Sequence, residues 1–582
     1  MRLVNKLNYI LNKRQKIQLL GILLMILVGS VLELLGVSAI LPLINVVMQP
    51  QQVMDNKYYA MAARMFNVKT ADDFVFLFAG SLCFIYIIKN IFLVFSRSIQ
   101  LKFAYATQKK IALRLMDCYL NEDYLFHVAH NISELQRNVK NDSGQFFTSI
   151  STVLNLLVEA FTCILLVVFL FFTDPGTTVL ATGILAVVIL IFWIVYRKIQ
   201  VAYGKQSREA SAKMNKWLIQ SFSGIKEIKV MNREKFFLEQ YDSAFQDNIQ
   251  ASKNYNIAAM LPKHIIEPLC ICSLLLTMCI QIKYGKNANE FISTLAVFAA
   301  AAIRMLPAFN RLTEYMSTIL YNKASVDNVF EDLKEAEALK DRKKLQKRDV
   351  KKLQLDKEIR ISNLTFAYPQ AEQPIFSDAS LIIKKNKSVA FVGSSGSGKT
   401  TLADIIIGLL TPLKGEVFVD DKDVFLHLDA WHKSIGYIPQ TIYLMDDTIR
   451  ANVVFGIPEE EIDDEMVWKA LERAELAEFV RGLEKGIYTG VGDRGMMLSG
   501  GQRQRIGIAR ALYKEPDVLI LDEATSALDN ETEAAVMQSI ENLQGKTTLI
   551  IIAHRLSTIQ NCDEIYSVEN GKIVLQKESQ ES

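Results

Sequence analysis

The chain has 582 residues, half of them hydrophobic, and its 65 Lys and Arg against 63 Asp and Glu leave a net charge of +2. That length exceeds what a single hydrophobic core supports, so two or more domains are implied. The balanced charge argues against a nucleic-acid-binding protein, and because the basic residues that do cluster lie between apolar runs, a membrane is the expected partner.

The N-terminus, "MRLVNKLNYILNKRQK", sets Leu3, Val4, Leu7, Ile10 and Leu11 at helical spacing opposite Lys6, Lys13 and Arg14. This pattern without a cleavage signal predicts an amphipathic helix in the membrane interface, with a helix packed on protein as the alternative. Six apolar stretches then follow, at about 17–48, 73–98, 146–172, 177–196, 257–282 and 291–321. Each is long enough to cross roughly 30 Å of hydrocarbon. The long intervals at 99–145 and 197–256 are rich in Lys and Arg, so the positive-inside rule places them, the N-terminus and everything after the sixth span in the cytoplasm. Both intervals read as helix pairs, interrupted near 119–130 and 225–240. Between the first two spans, "DNKYYAMAARMF" suits either a short helix on the outer surface, with Asp55 as N-cap and Tyr58, Met61, Ala62 and Met65 on one face, or a plain loop helix.

Of seven cysteines, Cys83, Cys163, Cys270, Cys272 and Cys279 fall in apolar runs and Cys118 and Cys562 in polar ones. No disulfide or zinc framework emerges. Residues 331–352 are densely charged and read as a linker between a helical domain at 1–330 and a second domain at 353–582. In that second domain short β-branched strands such as "SVAFVG", "DVLILD" and "TTLIIIA" alternate with helices, the pattern of an α/β domain with a largely parallel sheet.

"GSSGSGKT" matches the phosphate-binding loop G-x-x-x-x-G-K-[ST] between a strand and a helix. Gly393, Ser394, Gly396, Ser397 and Gly398 turn backbone amides toward phosphates at a helix N-terminus, with Thr401 following in the first turn. Lys399 reaches the outer phosphates, and the Thr400 hydroxyl suits magnesium. "VLILDE" ends a strand in Asp522, a second magnesium ligand, and Glu523, which would polarise the attacking water. Ser499, Gly500 and Gly501 of "LSGGQ" would make a second anion cradle at a helix start.

With "LSGGQRQR", "ILDEATSALD" and "IIAHR" following in order, residues 355–575 resemble the nucleotide-binding domain of ABC transporters. The resemblance implies that Tyr368 stacks on adenine and that Gln440 senses magnesium. It also implies that His554 contacts the γ-phosphate, that Gln502 belongs to the signature facing the opposite subunit, and that Asp529 communicates between sites. One phosphate loop, one signature and six spans imply half of an exporter-type transporter, acting as a homodimer with ATP and Mg2+ in two composite sites. The implied fold class is an all-α six-helix transmembrane domain joined to an α/β P-loop nucleotide-binding domain. The implied activity is ATP hydrolysis coupled to transport in the inner (plasma) membrane, with the two interruptions as coupling helices. Two departures stand out. "KNK" replaces a usual glycine before the phosphate-loop strand, where Asn386 can take the left-handed conformation, and Asp493 of "TGVGDRG" stands where the family usually has glutamate.

Four cations, Lys89, Lys263, Arg304 and Arg311, fall within the apolar spans. Each costs at least about 2.5 kcal/mol there, so such residues usually face a cavity or a partner. Glu33, Glu159 and Glu267 offer a charge-pairing alternative, as does snorkelling of Lys263 and Arg311. Together with "RMLPAFNR", "LPKHIIEP" and "NKYYAMAARMF", these cations resemble the bacterial flippases of lipid-linked oligosaccharides used in protein glycosylation. That resemblance implies a basic cavity for a polyprenyl-linked pyrophosphate. The expected function is movement of an anionic glycolipid of this kind from the cytoplasmic to the outer leaflet. A drug, lipid A or peptide exporter and, in another class, an ATP-gated anion channel remain as alternatives.

Overall fold

A computed structural model of the protein describes residues 6, 9–38, 71–173, 175–283, 288–343, 351–369, 371, 373–523, 530–552 and 561–578. The expected outer-surface helix, Asp529 and His554 lie outside these residues. The chain divides into two compact units: Met1–Glu122 with Ala129–Leu339, and Asp123–Val128 with Lys340–Ser582.

The first unit is helical. Its long elements are α1 (Lys13–Ser38), α2 (Ala71–Leu120), α5 (Ser143–Thr173), α6 (Pro175–Ser223), α8 (Glu234–Lys283) and α9 (Ala288–Tyr321), which α10 (Lys323–Lys343) follows. Shorter helices α3 (Tyr124–Ala129), which up to Val128 belongs to the second unit, α4 (Ile132–Arg137) and α7 (Ile225–Met231) stand at the two interruptions read from sequence. A π-turn at Asn138–Asp142 joins α4 to α5. The helices α2 and α8 have 50 residues each; at 1.5 Å per residue such a helix runs about 75 Å, well past the hydrocarbon layer. Among the described residues, Lys13–Gly36, Val75–Leu120 and Ile132–Phe172 are long and apolar enough to cross a membrane. On α2, Phe84, Ile87, Ile91 and Val94 are exposed, as befits a helix face whose solvent is lipid.

Inside the bundle Leu166, Leu170 and Met305 pack with Leu34 and Phe309. Gly204 of α6 lets the Tyr321 carbonyl approach so closely that a Cβ there would sit 2.6 Å from it. Pro262 and Pro268 lie within α8 and Pro307 within α9, each removing one ladder hydrogen bond. At the N-terminus, the Lys6 ammonium meets Asp327 at 2.8 Å, Tyr9 packs edge-on against Phe330 at 5.3 Å, and Ile10 and Leu11 are buried. Lys6 and Tyr9 thus meet α10, while Leu3, Val4 and Leu7 of the expected apolar face lie outside the described residues.

The second unit is built on two sheets. The strands β2 (Phe376–Lys384), β1 (Glu358–Phe366), β4 (Lys414–Val419) and β5 (Lys422–Asp423) form an antiparallel sheet in that order. The larger sheet runs β10 (Lys572–Glu578), β9 (Glu564–Glu569), β3 (Ser388–Val392), β8 (Thr548–Ile552), β7 (Val518–Asp522), β6 (Ile435–Ile438). From β9 to β6 its pairs are parallel. All residues of β7 and β8 are buried, which explains their unbroken apolar runs, since a parallel sheet is covered on both faces. Helices α11 (Lys399–Ile407), α12 (Leu428–His432), α13 (Ile449–Val454), α14 (Asp464–Arg473), α15 (Ala477–Arg481), α16 (Gly500–Leu512) and α17 (Asn530–Glu541) surround it. Leu125 of α3 packs on the same apolar cluster as Trp431 and Phe391. Asn386, before β3, takes the left-handed conformation with φ 60°, as the glycine-free turn requires.

Candidate functional site

Parallel pairing aligns the carboxyl ends of the central strands. In register, Phe391 stands beside Ile552, Ile552 beside Asp522, and Leu521 beside Ile438. The phosphate loop after β3, the acidic pair at the end of β7 and Gln440 after β6 therefore emerge along one edge, where open α/β sheets bind ligands.

At that edge the loop is tightly made. Gly393 has φ 153° and Gly398 has φ 104°. A Cβ on Gly398 would come within 2.6 Å of Ile375, and one on Gly393 within 2.5 Å of the Val568 carbonyl. Lys399, 5% exposed, donates from Nζ to the carbonyls of Gly393 and Ser394, both at 2.9 Å. Its ammonium thus curls back over its own loop. Burial lowers the pKa of Lys399, while Glu523 and Asp522 oppose the shift. The Ser397 hydroxyl is buried without a partner, the kind of orphan a phosphate oxygen would satisfy.

Thr400 Oγ1 lies 3.4 Å from Asp522 Oδ1, so two hard oxygen ligands sit side by side at the helix start. Among the described residues no group of three or more His, Cys, Asp or Glu could hold a metal. The Thr400 and Asp522 oxygens suit magnesium, which takes one or two protein oxygens and keeps the rest for phosphate and water. Gln440 Nε2 donates to Glu523 Oε2 at 2.7 Å, joining the residue expected to sense magnesium to the one expected to polarise the attacking water. The Tyr368 hydroxyl is 3.4 Å from that of Thr401, which puts the expected adenine platform beside the loop helix.

The signature starts α16. Ser499 Oγ accepts from the Gln502 amide at 3.2 Å, and Gln502 Oε1 accepts from the Ser499 amide at 2.8 Å. This is a reciprocal capping box. The S-x-x-Q spacing is the sequence signal for this cap, besides the anion cradle expected of Ser499 and the cross-subunit role expected of Gln502. The amides of Gly500 and Gly501 follow in the first turn.

Two residues near the site gave no sequence signal. Asp404, on α11, is pushed up to about 6 by burial and then by Asp522. Arg510, on α16, donates to the carbonyls of Asn452 at 2.9 Å and Tyr443 at 3.0 Å and lies over Phe455. It ties the signature helix to the segment that follows Gln440. Burial lowers it to about 10.

In the helical unit the four span cations fare differently. Lys89 is half-buried, its ammonium 4.5 Å from the centre of the Tyr86 ring, and Tyr86 donates to the Gly36 carbonyl at 2.9 Å. Lys263 is exposed, as is Glu267 one turn on. Arg304 lies on α9 two turns before Arg311, and its side chain is outside the described residues. Arg311 is paired: its Nε donates to Glu159 Oε1 at 2.6 Å. The charge-pairing alternative describes this position, because a guanidinium in an apolar helix is far cheaper beside a carboxylate.

Comparison with known proteins agrees with both halves. Residues 19–300 match the ABC transporter transmembrane region and residues 376–526 match the ABC transporter family. An ATP-dependent lipid A-core flippase of Francisella novicida is 32% identical over 498 residues, covering 84% of this chain and 81% of that protein. One of the same description from Photorhabdus laumondii subsp. laumondii is 31% identical, over 79% and 78% of the two chains. A bacterial Atm1-family ABC exporter solved with ATP bound superimposes with a TM-score of 0.72, covering 97% of this chain and 95% of that one. At 21% identity the latter bears on the fold alone.

Proposed function

Because the chain belongs to the ABC transporter family and couples ATP hydrolysis to transport, we propose that it moves an anionic glycolipid, of the polyprenyl-pyrophosphate-linked oligosaccharide kind, across the inner membrane. The direction is from the cytoplasmic to the outer leaflet, with the N-terminus and the nucleotide unit in the cytoplasm. Two copies act together, each Ser499 signature facing the phosphate loop of the other copy.

Bound magnesium ATP supplies the phosphoryl group whose transfer to water drives the cycle. Lys399 and the amides of Gly393 to Gly398 hold phosphate oxygens, while Thr400 and Asp522 hold the metal. Glu523, positioned by Gln440, accepts the proton of the attacking water. His554 and Asp529 complete the proposed set, with Tyr368 against the base.

The observation that carries the cargo reading is Lys89. It lies within apolar α2, half-buried, with an aromatic face beside it and no carboxylate within ion-pair distance among the described residues. A cation retained at that cost suits an anionic headgroup. Lys263, Arg304 and Arg311 extend the proposed basic lining. A second reading, lipid A-core, is favoured by what the similar flippases are called; both cargoes are anionic glycolipids.

The test is reconstitution in proteoliposomes, with ATP-driven exposure of the headgroup read by a membrane-impermeant glycosidase. Separate arms hold a polyprenyl-pyrophosphate glycan, lipid A-core and a zwitterionic phospholipid, with Glu523→Gln as the control. Exposure of the first cargo is expected. Exposure of lipid A-core alone would replace the polyprenyl reading, and exposure of neither anionic lipid would end both.

A further inference from the structure

A cavity of about 300 Å3 with a mixed wall, apolar at Met25, Ile26, Leu93 and Val158, opens among α1, α2, α5 and α9; its polar side carries Glu33, Arg97, Gln100, Asn155, Glu159 and Tyr315. Glu159 is only 8% exposed. One of its oxygens accepts from Arg311, while the other, Oε2, is buried without a partner. A buried acceptor left unused is costly, so a purely structural ion pair has reason to use both oxygens. On the cavity wall, Arg97 spends its guanidinium on neutral amides, bonding Asn155 and, at 3.4 Å, Gln100. Asn155 and Glu159 are one helical turn apart and share a face of α5. A single buried carboxylate therefore has a second guanidinium close by, across open space.

Resting on the anionic-headgroup reading above, we propose that Glu159 is a resident counter-anion, which occupies Arg311 while no cargo is bound and moves to Arg97 when a headgroup phosphate takes Arg311. A pyrophosphate presents more charge and more acceptor oxygens to a guanidinium than a carboxylate does, while the singly charged phosphodiester of a zwitterionic headgroup does not, so the first prevails where the second fails. Arg311 is never left bare in a low-dielectric bundle, whether the transporter is loaded or empty. On release, the returning carboxylate competes with the departing phosphate and helps expel it. Glu159 is thus a positioning residue that sets the threshold for cargo.

The measurement is equilibrium binding of geranylgeranyl pyrophosphate to the full-length, nucleotide-free protein in phosphatidylcholine nanodiscs. Removing an internal competitor raises apparent affinity, so Glu159→Gln is expected to bind roughly five- to tenfold tighter than wild type. Arg97→Gln is expected to weaken binding several-fold in the wild-type background and to have no effect when combined with Glu159→Gln, a coupling that a static ion pair does not produce. Should Glu159→Gln fail to fold, Glu159→Asp, with its carboxylate drawn back by one methylene, is expected to shift affinity in the same direction. Wild-type binding with unchanged or weaker affinity in Glu159→Gln and Glu159→Asp, or an Arg97→Gln loss that persists in the double variant, overturns the inference alone. Absence of binding in every variant overturns it together with the anionic-headgroup reading.

Discussion

The nucleotide unit and the helical bundle place their polar groups by different means. In the first, turns and strands with one possible register do the placing: Lys399 bonds carbonyls five and six residues behind it, and Ser499 closes a box with a residue three ahead. Where partners are remote, as for Thr400 with Asp522 or Gln440 with Glu523, a buried parallel sheet brings the strand ends to one edge. In the bundle no such frame exists. Arg311 and Glu159 are 152 residues apart on separate helices, and their meeting depends on the rotation and height of each helix. Site chemistry fixed by backbone geometry is therefore rigid and local, whereas chemistry fixed by helix packing is conditional on state.

That contrast breaks most visibly at Glu523. Glu523→Gln is expected to lower ATP turnover by roughly 10²- to 10⁴-fold, the range for losing a general base, while nucleotide still binds; phosphate release and nucleotide binding measured together check it. Gly398→Ala comes next. With φ 104° and a Cβ 2.6 Å from Ile375, the strain of roughly 1–3 kcal/mol is expected to weaken ATP binding by about tenfold in a titration. An unaffected loop would mean that its frame is softer than the contrast requires.

Asp563 sharpens the same point through pH. Burial tends to raise its pKa, but the amide and hydroxyl of Ser388 and the Lys387 ammonium prevail and hold it below the ordinary 3.8. A depressed carboxylate contributes its stability in full above the unfolded value and loses it as pH falls through the folded one. Asp563→Asn is therefore expected to cost about 1–2 kcal/mol near neutral pH. The difference from wild type shrinks only below pH 3.8, and denaturant titrations at two pH values show it. Smallest is Ser499→Ala, which removes the cap of α16 at about 1 kcal/mol. It is expected to lower the melting temperature of the nucleotide unit by roughly 2–4 °C in calorimetry.

The legibility of the chain follows the same division. The phosphate loop, the strand ending in Asp522 and Glu523, and the turn at Asn386 were readable because spacing and backbone chemistry dictate them. The six apolar stretches announced long helices, and the breaks near 124 and 225 announced the short ones between. What escaped was pairing across helices. Glu159 was one of three acids that suited four cations, and a helical period of 3.6 residues says which residues share a face but not which face a neighbour meets. Arg510 and Asp404 escaped for a related reason: their roles come from burial beneath segments that no local pattern connects to them.

Glu523 itself carries one more consequence. Its backbone is left-handed, φ 49°, a pose costing a side-chain-bearing residue roughly 1–2 kcal/mol. Its amide is held by the Ile552 carbonyl at the end of β8, 3.1 Å away. The proposed general base is thus aimed by the last rung of a neighbouring strand, and fraying of that rung releases it into an ordinary extended pose. On slow heating, hydrolysis should fade several degrees before the sheet melts, leaving a protein that keeps its shape and binds nucleotide yet no longer fires.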